Sequence, residues 1–146
     1  MSTPATAKST YLKNLVKKFA RGKEVMLLGC KGLEDAVETL DRRTIKTLLD
    51  KYTKEICDFG ADTVVLGCTH YPFLKKEIKN RVGSKIQILD SGAAVARRTK
   101  QLLENSQSSA KKRINEIFFT TGNPQEFSQV ASQLLKYKVQ AEFVRI

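Results

Sequence analysis

Four consecutive residues, Gly67-Cys68-Thr69-His70, bring together the side chains of this sequence that are best suited to proton transfer. Cys68 can act as a base when ionised and as an acid when protonated, and His70, the single histidine, can exchange a proton with it. A cysteine between a strand and the start of a helix also faces the positive end of the helix dipole, which favours the thiolate. Thr69 adds a hydroxyl and a backbone N–H for an anionic group. The loop therefore predicts a thiol site, with a small buried cysteine beside an unrelated histidine as the alternative.

The other two cysteines argue against a metal site. Cys30 and Cys57 would have to converge with Cys68 and His70, yet the sequence holds no Cys-x-x-Cys pair of the spacing that zinc sites use. Cys57 falls near the end of a predicted helix and is interpreted as a packing residue. No glycine-rich phosphate loop occurs, and nothing indicates pyridoxal phosphate. We therefore expect neither a metal nor a cofactor.

Helices and strands alternate along the chain in a way that places such loops at one edge of a sheet. The spacing of apolar residues predicts helices over residues 8–20, 33–40, 42–59 and about 124–135, with two more after Pro72 and Gly92. Short apolar runs predict strands over residues 24–28, 62–66, 86–89, 114–120 and 139–144. The alternation indicates an α/β fold with a mostly parallel sheet and flanking helices. Ligands of such sheets bind beyond the carboxyl ends of the strands, here the loops after Leu28, Leu66 and Leu89.

Length and composition bound the class of protein and its compartment. The 146 residues are 41% hydrophobic, which excludes a disordered or fibrous chain, and no apolar run approaches the roughly 18 residues that cross a bilayer. The N-terminus lacks the pattern of a signal peptide, and three cysteines without disulfide spacing are typical of a reducing compartment, so a cytoplasmic protein is expected. A polar stretch over residues 105–113 is interpreted as a linker between regions 1–104 and 114–146.

The net charge of +11, from 26 Lys and Arg against 15 Asp and Glu, raises the question of an anionic partner. The basic residues are spread in short clusters without the interleaved aromatics of an RNA-binding sheet, so solvated helix faces are favoured. A basic anion- or nucleic-acid-binding module stays open as an alternative function, although nucleic acid is not the expected partner and no membrane partner is expected. A thiol enzyme with Cys68 as nucleophile and His70 as base is a third interpretation.

Several stretches resemble the glutamate racemase family. Residues 61–74, Ala-Asp-Thr-Val-Val-Leu-Gly-Cys-Thr-His-Tyr-Pro-Phe-Leu, closely resemble the signature around the second catalytic cysteine of that family. Residues 89–99 are similar to its next segment, and residues 3–6 to the threonine-containing loop that opens its second domain. Residues 28–38 resemble the segment with an assisting glutamate, and residues 120–127 resemble the family's C-terminal end. The resemblance covers nearly the whole chain.

The resemblance implies a cofactor-independent interconversion of L-glutamate and D-glutamate for peptidoglycan synthesis. In that family two cysteines stand on opposite faces of the substrate Cα, where one removes the proton and the other returns one. Cys68 matches the second of these cysteines, His70 the catalytic and substrate-binding histidine beside it, and Glu38 the assisting glutamate. Thr69 and Thr6 match substrate-contacting threonines.

The sequence also departs from the family pattern. The family's first Asp-Ser-Gly segment and the Cys-Asn-Thr loop with its first catalytic cysteine do not occur in these 146 residues, and Asp90-Ser91-Gly92 matches the later segment. Lys31 stands where the family usually has proline. The resemblance therefore implies the second domain of a two-domain racemase, plus a C-terminal segment that returns to the first. We expect such a chain to be inactive alone, with the missing N-terminal domain or a second copy as partner besides glutamate.

Overall fold

The computed structural model describes residues 1–104 and 116–146. Packing divides these residues into two compact units, Met1–Ala96 and Arg97–Ile146. The linker predicted over residues 105–113 lies outside the described residues, as does the start of the strand predicted over 114–120. The extents 1–104 and 114–146 therefore stay a prediction. Within the described part of the chain, no helix has both the length and the apolar surface that a membrane span requires.

The first unit alternates helices and strands. Its elements are α1 (Pro4–Lys8), α2 (Thr10–Phe19), α3 (Leu33–Glu38), α4 (Arg42–Asp58), β1 (Thr63–Val65), a 3₁₀ turn (Tyr71–Leu74), α5 (Lys75–Val82) and β2 (Gln87–Leu89). Helix α6 (Gly92–Glu104) runs across the boundary, and the second unit continues with β3 (Phe118–Thr120), α7 (Pro124–Leu135) and β4 (Ala141–Phe143). All six helices predicted from apolar spacing are confirmed; the one predicted over residues 8–20 is α2, and the short helix α1 before it was not predicted.

Local sequence signals set the helix ends. The Asp41 carboxylate accepts hydrogen bonds from the N–H groups of Arg43 at 3.1 Å and Thr44 at 3.0 Å, which starts α4. Gly60 adopts a φ of +75° just beyond the end of that helix, a conformation that glycine tolerates better than other residues. Asn123 caps α7 in the same way as Asp41 caps α4, with proline in the first turn. The polar residues between the elements thus act as start and stop signals.

The strands pair in parallel, which confirms the predicted α/β class. β1 and β2 are in register at Val64 and Ile88, and β3 and β4 at Phe119 and Glu142. Each of the four strands is only three residues long, shorter than predicted. Within the apolar run over residues 62–66, Val65 is 57% exposed while its neighbours in the sequence, Val64 and Leu66, are buried. Only one face of β1 is therefore covered by the core, because successive side chains of a strand point to opposite faces.

The strand predicted over residues 24–28 does not form. This segment makes only an isolated parallel bridge, between Gly29 and Ser2. Its hydrogen-bonding neighbour is the short stretch at residues 1–3: Ser2 N–H donates to Leu28 O at 2.9 Å, and Cys30 N–H donates to Ser2 O at 2.8 Å. These bonds begin only at Leu28, the last residue of the predicted strand, so no ladder forms over residues 24–28.

The same stretch also bonds to the end of β1. The Met1 nitrogen donates to Val65 O at 2.9 Å, and Gly67 N–H donates to Met1 O at 2.8 Å. Residues 1–3 thus lie between residues 28–30 and residues 65–67. As a result, the loops after Leu28 and Leu66 begin near each other, on either side of residues 1–3.

The core of the first unit lies between the helices and the covered face of β1. Helices α3 and α5 both pack against α4. The buried apolar side chains of these elements include Leu33, Val37, Ile45, Leu49, Ile56, Val64, Ile78 and Val82. Burial of this set supplies most of the driving force that holds the loops in place.

In the second unit, two serines of α7 accept hydrogen bonds from the backbone at and just before β4. Ser128 Oγ accepts a hydrogen bond from Ala141 N–H at 2.9 Å, and Ser132 Oγ accepts one from Val139 N–H at 2.8 Å. These contacts attach β4 to the helix and bury Val139 and Ala141.

Candidate functional site

The chain after β1 forms the candidate site. Leu66 N–H donates to Leu89 O at 2.8 Å and is the last pairing with the β2 strand before the chain turns away. The turn continues as a 3₁₀ segment, with Tyr71 N–H donating to Cys68 O at 3.3 Å. The helix expected directly after the loop begins only at Lys75. The helix-dipole effect expected at Cys68 is therefore weaker than the sequence suggested, because such effects fade within one turn.

The structure brings Cys68, His70 and Glu38 into one chain of contacts. Cys68 Sγ lies 3.8 Å from His70 Nδ1, and His70 Nε2 lies 2.9 Å from Glu38 Oε1. An ionised carboxylate only accepts hydrogen bonds, so with Glu38 ionised Nε2 carries a hydrogen and donates a hydrogen bond to Glu38 Oε1. Nδ1 is then an acceptor for the thiol when the imidazole is neutral, and a donor to the thiolate when the imidazole is charged. The arrangement can therefore hold a proton at either the sulfur or the imidazole.

Thr69 and Thr6, the two threonines of the predicted site, differ in their contacts. Thr69 is exposed, and its hydroxyl lies 3.5 Å from His70 Nδ1 beside the thiol. Thr6 lies in α1, where its hydroxyl accepts a hydrogen bond from the Thr3 hydroxyl at 3.0 Å. The structure thus places Thr69 in the cluster, whereas the hydrogen bond of Thr6 is made within its own helix turn.

The site is open at the position of its carboxylate. Glu38 is the last residue of α3, and its side chain is 60% exposed against 28% for His70. Cys68 is half-buried. Solvent exposure keeps the attraction between His70 and Glu38 modest.

Tyr71 supports the site and was missed by sequence reasoning. Its side chain is fully buried, and its hydroxyl lies 3.3 Å from Cys30 O, 3.4 Å from Ser2 O and 3.4 Å from Glu34 Oε2. Burial raises the pKa of this phenol above its ordinary value. The residue joins the loop after β1 to α3, the helix that carries Glu38. A tyrosine directly before a proline gives no local signal of such long-range contacts.

The remaining two thiols have quite different surroundings. Cys30 is completely buried, and desolvation raises the pKa of its thiol to about 11. Cys57 is exposed on α4, so the interpretation of this cysteine as a packing residue is wrong. Ile56 fills the core-facing position of that turn, and the next residue is rotated by about 100° away from it.

An ion pair ties the loop after β2 to the helix that follows the site. Lys75 Nζ lies 2.6 Å from Asp90 Oδ2, and Gly92 N–H donates to Asp90 Oδ1 at 3.0 Å. The hydrogen bond from Lys75 is the main cause that lowers the pKa of the Asp90 carboxyl. Asp90 is thus committed to a structural contact. Across residues 1–104 and 116–146, no three His, Cys, Asp or Glu side chains cluster as metal ligands.

Fold and site together define an α/β protein with a cysteine, a histidine and a glutamate in contact at the carboxyl end of a parallel strand. The sequence model of the family described as Asp/Glu/Hydantoin racemase matches residues 1–99. The chain therefore belongs to the Asp/Glu/hydantoin racemase family, which confirms the resemblance noted in the sequence.

Individual relatives agree with the family assignment. The chain is 42% identical over 113 residues to the glutamate racemase of Aliivibrio fischeri strain ES114, covering 73% of this chain and 41% of that protein. It is 33% identical over 150 residues to the glutamate racemase of Streptococcus sanguinis, covering 100% of this chain and 57% of the relative. The chain thus spans about half the length of the curated relatives it matches.

Solved structures show the same partial coverage. The crystal structure of Escherichia coli glutamate racemase in complex with L-glutamate and the activator UDP-MurNAc-ala matches with a TM-score of 0.75 and 30% identity, over 97% of this chain and 55% of that one. A glutamate racemase isoform of Bacillus anthracis matches with a TM-score of 0.75 and 27% identity, over 93% and 52%.

Proposed function

We propose that this chain supplies one half of a glutamate racemase active site, in which Cys68 serves one face of the substrate Cα. The observation that carries the proposal is the contact of Cys68 Sγ with His70 Nδ1 at 3.8 Å, continued from Nε2 to Glu38 at 2.9 Å. Membership of the racemase family supports the reaction class, an isomerisation. The complex of the E. coli relative with L-glutamate supports glutamate as the substrate.

In the proposed reaction Cys68 alternates between base and acid. As a thiolate it removes the proton from Cα, so that the C–H electron pair stays on the substrate as a carbanion and the sulfur becomes a thiol. In the reverse direction the thiol returns a proton to the same face. His70 accepts the thiol proton at Nδ1 to prepare the thiolate, and Glu38 stabilises the resulting imidazolium through Nε2.

Substrate binding is assigned to groups around the thiol. Thr69 is exposed beside it and offers a hydroxyl to a substrate carboxylate. His70 in its charged form adds an attractive charge next to the same position. Thr6 remains a proposed contact of lower support, because its hydroxyl already accepts from Thr3.

Racemisation also needs a proton-handling group on the opposite face of Cα. Cys30 is completely buried, and Cys57 is exposed on α4 rather than placed in the contacts around Cys68. We therefore assign the opposite face to a group outside these 146 residues, either on another segment or on a second copy. The chain alone is then inactive. D-Glutamate supply for peptidoglycan synthesis in the cytoplasm is the role that follows from this activity.

Deuterium incorporation tests the proposal directly. The purified chain is incubated with L-glutamate in deuterated water, alone and after co-purification with the part of the A. fischeri relative that the chain does not span. We expect neither D-glutamate nor deuterium at Cα from the chain alone, and both products from the complex. Robust turnover by the chain alone would overturn the half-site. A co-purified complex without turnover would overturn the assignment of Cys68.

A further inference from the structure

Helix α2 carries an apolar stripe whose two ends are exposed among the described residues. Tyr11, Leu15 and Phe19 recur every four residues and therefore share one face of the helix. Tyr11 is 75% exposed and Phe19 is 72% exposed, and α2 contains no buried residue. Two exposed aromatic rings on a ten-residue helix are unusual for a face in contact only with water.

The helix is nevertheless firmly formed. Ser9 Oγ accepts a hydrogen bond from Leu12 N–H at 3.2 Å at its start, and Ala20 N–H donates to Val16 O at 2.9 Å at its end. Leu12, Leu15 and Val16 are all half-buried. These inner side chains attach α2 to its unit, while Tyr11 and Phe19 at the two ends of the stripe stay exposed.

The segment that carries the stripe contains positive but no negative side chains. The first 23 residues contain no Asp or Glu, and they contain six basic residues: Lys8, Lys13, Lys17, Lys18, Arg21 and Lys23. Among the described residues none of these six has an acidic partner, whereas Lys54, Lys75 and Arg81 in later helices each do. Lys18 Nζ lies 5.1 Å from the centre of the Phe19 ring, so an aromatic and a cation already share one position at the edge of the stripe.

We propose that this face of α2, together with Lys18, Arg21 and Lys23, docks on an anionic lipid surface. The aromatic and aliphatic side chains would enter the boundary between head groups and acyl chains, and the cations would meet the lipid phosphates. At ten residues the helix is about 15 Å long, so it would lie in the interface rather than cross it. The surface is independent of the proposed racemase site. It departs from the expectation that no membrane partner exists.

Charge and shape favour lipid over the other anionic partners. A nucleic acid would need aromatic faces on which successive bases stack, whereas Tyr11 and Phe19 stand eight positions apart on either side of the half-buried Leu15. A soluble anion would engage the cations without using the stripe. Exposed aromatic rings beside cations without an acidic partner fit a lipid surface, because it offers an apolar boundary and anionic phosphates together.

Vesicle co-sedimentation tests the proposal with the 146-residue chain. Vesicles of equal parts phosphatidylcholine and phosphatidylglycerol are compared with phosphatidylcholine alone, at 50 mM and 500 mM KCl. We expect binding to the anionic vesicles at low salt and at least tenfold weaker binding in each other condition, because screening removes the attraction. Equal binding to both vesicle types would overturn the proposal.

Matched variants separate the α2 surface from net charge. The variant K18Q, R21Q, K23Q and the control K46Q, K51Q, K54Q on α4 each remove three positive charges. We expect the first to bind anionic vesicles at least tenfold more weakly than the parent and the control to bind within twofold of it. Equal losses would show attraction by overall charge alone and would overturn the assignment to α2.

A second pair of variants tests the stripe itself. Y11S with F19S is compared with F119S and F143S, which remove two exposed aromatics from the second unit. We expect about tenfold weaker vesicle binding for the first pair only, while circular dichroism shows that both pairs stay folded. Unchanged binding of the first pair would overturn insertion of the stripe. Displacement of the chain from vesicles by equimolar single-stranded RNA would replace the lipid partner with nucleic acid.

Discussion

Two loops of the first unit begin with the same sequence, Leu-Gly-Cys, but their cysteine thiols differ in burial and surroundings. Leu28-Gly29-Cys30 and Leu66-Gly67-Cys68 leave the unit on either side of residues 1–3. Cys30 is completely buried and burial raises the pKa of its thiol to about 11, whereas Cys68 is half-buried with an imidazole 3.8 Å from its sulfur. The sequence Leu-Gly-Cys before a turn is therefore not sufficient for a reactive thiol.

The residues that follow each cysteine cause the difference. After Cys30, Gly32 adopts a φ of +79° and turns the chain directly into α3. The first residue of that helix, Leu33, is completely buried. After Cys68 the chain instead continues through the exposed Thr69 to His70 and a short 3₁₀ turn. The comparison teaches that the turn after the Leu-Gly-Cys sequence decides whether its thiol is buried or accessible.

The largest expected effect is in alkylation rate. A pKa raised from 9.0 to about 11 leaves about a hundredfold less thiolate at neutral pH, and burial slows access further, so Cys30 should react at least a hundredfold more slowly than the exposed Cys57. Cys68 should react fastest, because His70 can take its proton. Iodoacetamide labelling followed by peptide mass spectrometry measures all three rates. A fast Cys30 would remove the contrast between the loops.

The next effect is on the pH dependence of stability. The pKa of Cys30 is raised in the folded state, so its contribution is fully present below about pH 9 and is lost as the pH rises through about 11. The unfolding free energy should fall over this window by about 2 kcal/mol more in the parent than in Cys30→Ala. Urea denaturation at several pH values measures the difference. Parallel curves for the two proteins would contradict the assignment.

A smaller effect is expected from the residue that joins the two loops. Tyr71→Phe removes a buried hydroxyl that lies 3.3 Å from Cys30 O and leaves the ring in place. Loss of this hydrogen bond should lower the unfolding free energy by about 1 kcal/mol. Tyr11→Phe, at an exposed tyrosine of α2, serves as the control and should leave the urea midpoint unchanged. Equal midpoints for both variants would show that the Tyr71 hydroxyl stabilises nothing.

The smallest effect should come from the end of the contact chain. Glu38→Gln keeps the size of the side chain but removes the negative charge next to His70 Nε2. Because this pair is partly exposed, we expect the alkylation of Cys68 to slow by only about two- to fivefold. Asp35→Asn, at an exposed carboxylate on the same helix, is the matched control for the charge. A larger loss with Asp35→Asn would contradict the assignment of Glu38 as the supporting carboxylate.

Much of this contrast could be predicted from the sequence, because its strongest signals are local. The loop at residues 67–70 follows directly from residue types, and the helix that begins at Asp41 follows from its cap and apolar spacing. The exposure of Cys57 could also have been found. It follows Ile56 by one position and so falls off the apolar stripe of α4.

Other features depend on contacts between distant residues. Glu38 meets His70 across 32 positions of sequence, and only the family resemblance indicated it. The strand predicted over residues 24–28 failed because its backbone bonds to Ser2 begin only at Leu28, a pairing that the local sequence does not reveal. In α2 the spacing of Leu12, Leu15, Val16 and Phe19 predicts an apolar face, yet spacing alone does not show that part of this face stays uncovered.

The central claim is that Cys68, and not the other Leu-Gly-Cys thiol, transfers the substrate proton. A chimera in which this chain replaces the corresponding part of the A. fischeri glutamate racemase, once shown to racemise glutamate, tests this most directly. We expect Cys68→Ala to lower the rate of D-glutamate formation by about three orders of magnitude, and Cys30→Ala to keep it within about fivefold. A Cys68→Ala chimera that remains folded and racemises glutamate at the parent rate would contradict the claim.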